Sequence, residues 1–167
     1  MAKSEAVITP LREAEIDALA ALARVVWQAT YPGLIPQAQI DFMLADRYAT
    51  ARIRAQLADP AHCWLTARAD DALAGFAHLS LGTDAAKLDK LYVAPAHQRR
   101  GLGRALFDAA RARAAATGAR SLSLQVNRGN TRAVAAYRKW GCAVVEEKIF
   151  DIGAGFVMDD YVMEIAL

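Results

Sequence analysis

A strand-like run, Lys87-Leu88-Asp89-Lys90-Leu91-Tyr92-Val93, leads to the loop Gln98-Arg99-Arg100-Gly101-Leu102-Gly103. That loop opens straight into a helix-like run, Arg104-Ala105-Leu106-Phe107-Asp108-Ala109-Ala110-Arg111. The first turn of a helix carries N–H groups without intrahelical partners, and its macrodipole adds positive potential. Glycines at 101 and 103 let backbone approach a ligand with no Cβ in the way. With Arg99, Arg100 and Arg104 around them, they form a cradle for a charged phosphate group, with a pyrophosphate the best match. A dinucleotide fingerprint is excluded, because its third glycine would fall at Leu106. A Walker loop is excluded too, since no Gly-Lys-Ser/Thr follows.

The Q-R-R-G-L-G pattern after a strand ending in valine resembles the acetyl-coenzyme A signature of the GNAT superfamily of N-acetyltransferases. A second segment stands where that family places one: Val126-Asn127-Arg128-Gly129-Asn130-Thr131-Arg132-Ala133-Val134-Ala135-Ala136-Tyr137-Arg138-Lys139-Trp140-Gly141. The two together, in order and suitably spaced, are specific. The likeness in layout covers nearly the whole chain, and its residue-level detail falls within residues 86–145.

The pattern along the chain agrees with that layout. A short edge strand is expected over 6–11, limited by Pro10. Apolar residues at helical spacing predict a helix over 13–30, and a second helical region, in two pieces near Asp46, over 37–57. Strands at 63–68, 73–81 and 86–93, the first two joined at Asp70-Asp71, read as an antiparallel meander. In the last of these, strict alternation separates Leu88 from Leu91 and Val93. A bulge between Leu88 and Leu91 reconciles them and splays the strand from its neighbour, freeing backbone groups for a ligand. A helix over 104–117, a strand over 121–126, a helix over 131–140 and strands near 142–149 and 156–166 complete the reading. The fold expected is α/β (α+β): one GNAT-like domain over 1–167, with a mixed, partly parallel central sheet flanked by helices and the bulged strand at the cofactor site.

Composition narrows the function. Lys plus Arg exceed Asp plus Glu by 20 − 18 = +2, which gives no reason to invoke nucleic acid or an anionic membrane as partner. No apolar run approaches the roughly 20 residues of a membrane span, and Met1 to Pro10 does not read as a secretory signal. Cys63 and Cys142 stand beside apolar runs and are expected as buried free thiols of a cytoplasmic protein. His62, His78 and His97 show no ligand spacing, so no metal is indicated, and His97 is expected simply to be exposed.

Acetyl transfer from a thioester to an amine requires a neutral amine, donors for an oxyanion and help for a departing thiolate. Neutralising an amine of pKa about 10.4 at neutral pH costs about 4.6 kcal/mol. The resemblance implies acetyl-CoA as cosubstrate, held by the backbone at Leu91 and Val93 with Tyr92 between them, and by Gln98, Arg99, Arg100, Gly101, Leu102, Gly103 and Arg104. It also implies Asn130 on the pantetheine arm and Tyr137 as general acid. Asn130, Ala133, Val134 and Tyr137 share one helix face. Their competing reading is a plain N-cap and a core stripe of Val134, Tyr137 and Trp140.

The general base stays open among Asp89, His78, Glu146, Glu147 and ordered water. Trp27, Tyr31, Phe42 and Tyr48 fall where the family forms its acceptor groove, with Asp41, Asp46, Asp151, Asp159 and Asp160 adding negative charge. Tyr-Pro-Gly-Leu-Ile-Pro at 31–36 and Asp-Asp-Tyr-Val-Met at 159–163 resemble the polyamine N-acetyltransferase branch. The acceptor expected is therefore a small primary amine or a polyamine. Acetylation of peptide N-termini or protein lysines, a non-catalytic acyl-CoA-binding module, and assembly as a homodimer stay open.

Overall fold

The computed structural model describes residues 6–167. Residues 1–5, half of the segment read as carrying no secretory signal, lie outside the described residues. The elements run β1 (Val7–Pro10), α1 (Ile16–Thr30), α2 (Gln37–Arg47), α3 (Thr50–Leu57), β2 (His62–Ala69), β3 (Ala72–Ser80), β4 (Ala85–Val93), α4 (Leu102–Ala116), β5 (Ser121–Asn127), α5 (Thr131–Lys139), β6 (Ala143–Gly153) and β7 (Phe156–Ala166). They form one seven-stranded sheet in the order β1-β2-β3-β4-β5-β7-β6. Among the described strand pairs only β4–β5 is parallel; the hairpin of β6 and β7 folds back so that β7 lies against β5. The expected mixed, partly parallel sheet flanked by helices is what forms.

Small boundary differences have local causes. Residues 13–15 make a 3-10 turn ahead of α1, and the second helical region breaks between Arg47 and Thr50. Helix α4 starts at Leu102 rather than 104, because Gly101 takes a left-handed φ of 82° and turns the chain directly into it. Strand β6 runs on to Gly153, beyond the expected 149.

Alternation along the strands builds two cores. Leu65, Ala77, Leu88, Leu122 and Leu124 pack with Leu106, Phe107, Val134 and Tyr137 on the α4–α5 face. Trp64, Phe76 and Met158 pack with Leu19, Trp27, Ile40 and Ile53 on the α1–α3 face. Cys63 and Cys142 are buried and free. Among the described residues, no helix is long and apolar enough to cross a membrane.

The bulge sits at Asp89. His78 pairs with Lys90 but Leu79 pairs with Leu88, so Asp89 is the extra residue. Leu88, Leu91 and Val93 thereby reach the α4–α5 core, while Tyr92 packs on the other. On its far side β4 pairs with β5 only from Ala85 to Leu88, whereas β5 continues along β7 to Asn127. Beyond Leu88 the two strands diverge.

Gly75, opposite Val93, keeps β4 in place. A Cβ there would lie 2.8 Å from the Tyr92 carbonyl oxygen and 3.2 Å from Leu106 Cδ1. The Gly75→Ala variant should therefore lose about 1–3 kcal/mol, as overpacking does. The measurement is the urea midpoint, expected to fall at unchanged m.

Candidate active site

The divergence of β4 from β5 opens a groove of about 740 Å³. Leu91, Tyr92 and Val93 form one wall, Gln98, Arg99, Gly101, Leu102, Gly103 and Arg104 the end, and Asn130, Ala133 and Tyr137 the opposite wall. The structure thus gathers every sequence-singled cofactor residue except Arg100, which is exposed and does not line the groove. His97 is not simply exposed as expected: it is half-buried and lines the groove. Arg132 and Lys139 of the second segment also line it, on α5, although the sequence reading gives neither a role.

The loop is built to present backbone. Arg99 and Gly101 both have positive φ, 62° and 82°, and Gln98 Nε2 donates to the Val93 carbonyl at 3.1 Å, tying the loop to β4. Helix α4 has no side-chain cap, so the N–H groups of its first turn remain available to an anion. Gly103 is helical, and a Cβ there would lie 3.4 Å from Trp140 Cη2 and 3.8 Å from Val93 Cγ2, a space that the glycine leaves open. Arg104 is partly committed, pairing with Asp108 at 3.0 Å.

Across the groove, Asn130 caps α5 by accepting the Ala133 N–H at 3.3 Å. The cap engages Oδ1 and leaves the amide nitrogen for a ligand. Tyr137 is 8% exposed, packed between Phe107 and Trp140. Core packing and groove lining are both true of it. Burial pushes its phenol well above the usual value, so it stays protonated at neutral pH.

On the other side of Tyr92 lies a polar cavity of about 470 Å³ that Tyr92 also lines. Tyr92 and Tyr31 share a hydroxyl hydrogen bond of 2.7 Å, and burial raises the Tyr31 phenol to about 12. Trp27 and Tyr31 line this cavity, while Tyr48 accepts the Trp27 Nε1–H at 3.0 Å and Phe42 packs at a tilt against Phe156. Of the open base candidates, Glu146 and Glu147 line neither space. Asp89 accepts from Ser80 Oγ at 2.5 Å and lies 3.2 Å from His78 Nδ1. Burial opposes its charge, but these partners hold it well below the usual carboxylate value. Burial lowers His78, which also shares a 3.0 Å contact with His62.

Asp160 is the exceptional carboxylate. It lies on β7 facing the cavity, is 5% exposed, and its Oδ1 has no hydrogen-bond partner. Desolvation raises its pKa from 3.8 to about 6. A raised carboxyl pKa contributes stability below about pH 3.8 that is lost as pH rises through about 6. Asp160→Asn should therefore match wild type near pH 3.5 and exceed it by about 1–3 kcal/mol above pH 7, at most the ~1.4 kcal/mol per pKa unit of the shift. Urea midpoints across that pH range check it.

The family model of the Acetyltransferase (GNAT) family matches residues 22–142. An uncharacterized N-acetyltransferase of Mycobacterium tuberculosis is 34% identical over 150 residues, 89% of this chain and 96% of that protein. A spermidine N(1)-acetyltransferase of Thermoplasma acidophilum is 25% identical over 149 residues, 87% and 90% of the respective chains. The crystal structure of the PaiA N-acetyltransferase of the same organism, in complex with coenzyme A, superposes with a TM-score of 0.86 at 24% identity, covering 98% of this chain and 99% of that one. With the groove, the loop and these matches together, the chain belongs to the GNAT family and is an N-acetyltransferase.

Proposed function

We infer that residues 1–167 act as one domain that transfers an acetyl group from acetyl-CoA directly to a primary amine seated in the polar cavity. The observation that carries this reading is the shared wall. Tyr92 lines both the groove and the cavity, so a donor in one and an acceptor in the other meet at the tyrosines. The groove's residues fit acetyl-CoA. The uncapped start of α4 with Arg99 and Arg104 suits a pyrophosphate, the free edge of β4 suits a pantetheine arm, and Gly103 leaves room beside both. The coenzyme complex of the similar thermoplasmal protein supports the same choice. When bound, acetyl-CoA supplies an activated thioester.

The chain's own groups do the rest. Backbone at Leu91 and Val93 orients the donor, and the Asn130 amide steadies it from across the groove. The Tyr137 hydroxyl holds its proton at Oη for the departing sulfur. Because burial makes this phenol a weaker acid than usual, it acts by donating a hydrogen bond more than by full proton transfer. Asp160, with a pKa near 6, is ionised at neutral pH and can draw the proton from the acceptor. A polyamine acceptor is a second reading, favoured by the similarity to the spermidine acetyltransferase. A cytoplasmic setting agrees with the free thiols Cys63 and Cys142.

Thiol release from acetyl-CoA over a panel of amines and peptides tests the reading. Tyr137→Phe keeps the ring and deletes one donor, so kcat should fall about 10²–10³-fold with coenzyme affinity nearly unchanged. A tyrosine that is only core would leave kcat intact. Gly103→Val fills the space beside Trp140 and should cost more coenzyme affinity, by calorimetry, than removing any single arginine. Removing Arg99 should matter less as salt rises, since an exposed charge is screened.

A further inference from the structure

The polar cavity holds more charge than one amine can use. Two of its ion pairs are closed: Asp46 with Arg52 at 3.0 Å and Lys87 with Asp89 at 3.4 Å. His78 is held neutral at physiological pH by burial. Four charged groups remain on the wall with no ion pair among the described residues: Asp160 on β7, Arg47 at the end of α2, Lys90 on β4, and the exposed Asp151 on β6, whose Oδ1 accepts the Gly153 N–H. The Lys90 ammonium sits over the rings of Trp64 and Tyr48, at 5.4 and 5.6 Å from their centroids, with no carboxylate to meet it. Arg47 influences both Asp160 and Lys90 electrostatically yet bonds to neither. An open cavity with a buried, unpartnered carboxylate oxygen on one wall and two cations on others is incomplete without a ligand of the complementary pattern.

Resting on the amine-acetyltransferase reading, we propose that the acceptor is a zwitterionic amine. Its amino group faces Asp160 Oδ1, and an anionic group, a carboxylate in the simplest case, is held between Arg47 and Lys90. Asp160 lies on the transfer side, since its charge acts on Tyr31, whose hydroxyl meets that of Tyr92. Burial lowers Lys90 to about 8, so it is still mostly charged at neutral pH, and an anion beside it would restore its usual value. The same arrangement disfavours a polyamine. A second ammonium seated in place of the anion would face Arg47 and Lys90, and like charges in a partly desolvated site repel strongly; Asp151, the other unpaired carboxylate of the wall, is exposed.

The test compares an ω-amino acid, its primary amide and the diamine of equal length, over several chain lengths, with α-amino acids and short peptides alongside. Thiol release and product mass are read for each. The amino acids should exceed their amides and the diamines in kcat/KM by about 100-fold or more, because each analogue leaves the half-buried Arg47 and Lys90 unmatched. In Arg47→Gln and Lys90→Met the ratio of amino acid to diamine should fall at least about tenfold; a merely structural role would lower both rates together. Equal or faster turnover of diamines or amides, or acetylation confined to peptide N-termini, overturns the proposal and leaves amine acetylation standing. If no amine or peptide is acetylated while coenzyme binds, the underlying reading fails and the proposal with it.

Discussion

The single extra residue at Asp89 governs the geometry of both sites. A bulge shifts the register by one, and with a side-chain period of two that shift exchanges the faces of everything after it. Leu91 and Val93 turn toward α4 and α5, while Lys90 and Tyr92 face the cavity side. The same irregularity accompanies the loss of pairing with β5 beyond Leu88. Backbone groups that would have been consumed in a ladder are released at the place where a coenzyme can use them. Asp89 itself accepts a hydrogen bond from Ser80 and lies 3.2 Å from His78 Nδ1, so the residue that makes the bulge is anchored by its polar neighbours.

The tyrosines join the two spaces. Tyr31 and Tyr92 share one short hydrogen bond, and Tyr137 stands close enough for its titration to feel Tyr31. Burial keeps Tyr31 and Tyr137 protonated at neutral pH, which suits groups that must donate without carrying charge. On the acceptor side, Asp160, whose charge acts on Tyr31, is destabilising to bury. That a fold retains such a carboxylate, with an oxygen left unpartnered, is the usual mark of a group kept for its ligand rather than for stability.

The glycine loop, the second motif and the element order could be read from the chain directly, because each depends on local rules. Gly101 is needed for a positive φ, Gly118 and Gly141 follow helices, and apolar spacing marks strands and helices one by one. Even the bulge was visible, as a conflict in alternation between Leu88 and Leu91. Lys90 was not singled out, although the bulge that freed Leu91 also places Lys90 on the face of Tyr92. Arg47, at a helix end, carries no sequence signal at all. Arg132 and Lys139 stand inside the second motif, but the helix face that they share becomes a groove wall only when α5 docks.

Sequence by itself determined the family, the sheet's elements and the anion-binding loop, since these rest on backbone conformation and periodicity over short spans. Tertiary structure alone decided which charges are spent and which are free. Asp46 and Asp160 are equivalent in composition, yet one meets Arg52 and the other is buried against no partner. Neutralisation and desolvation are properties of neighbours brought from α2, β4 and β7, and those neighbours become neighbours only through the sheet order that sets β7 beside β5.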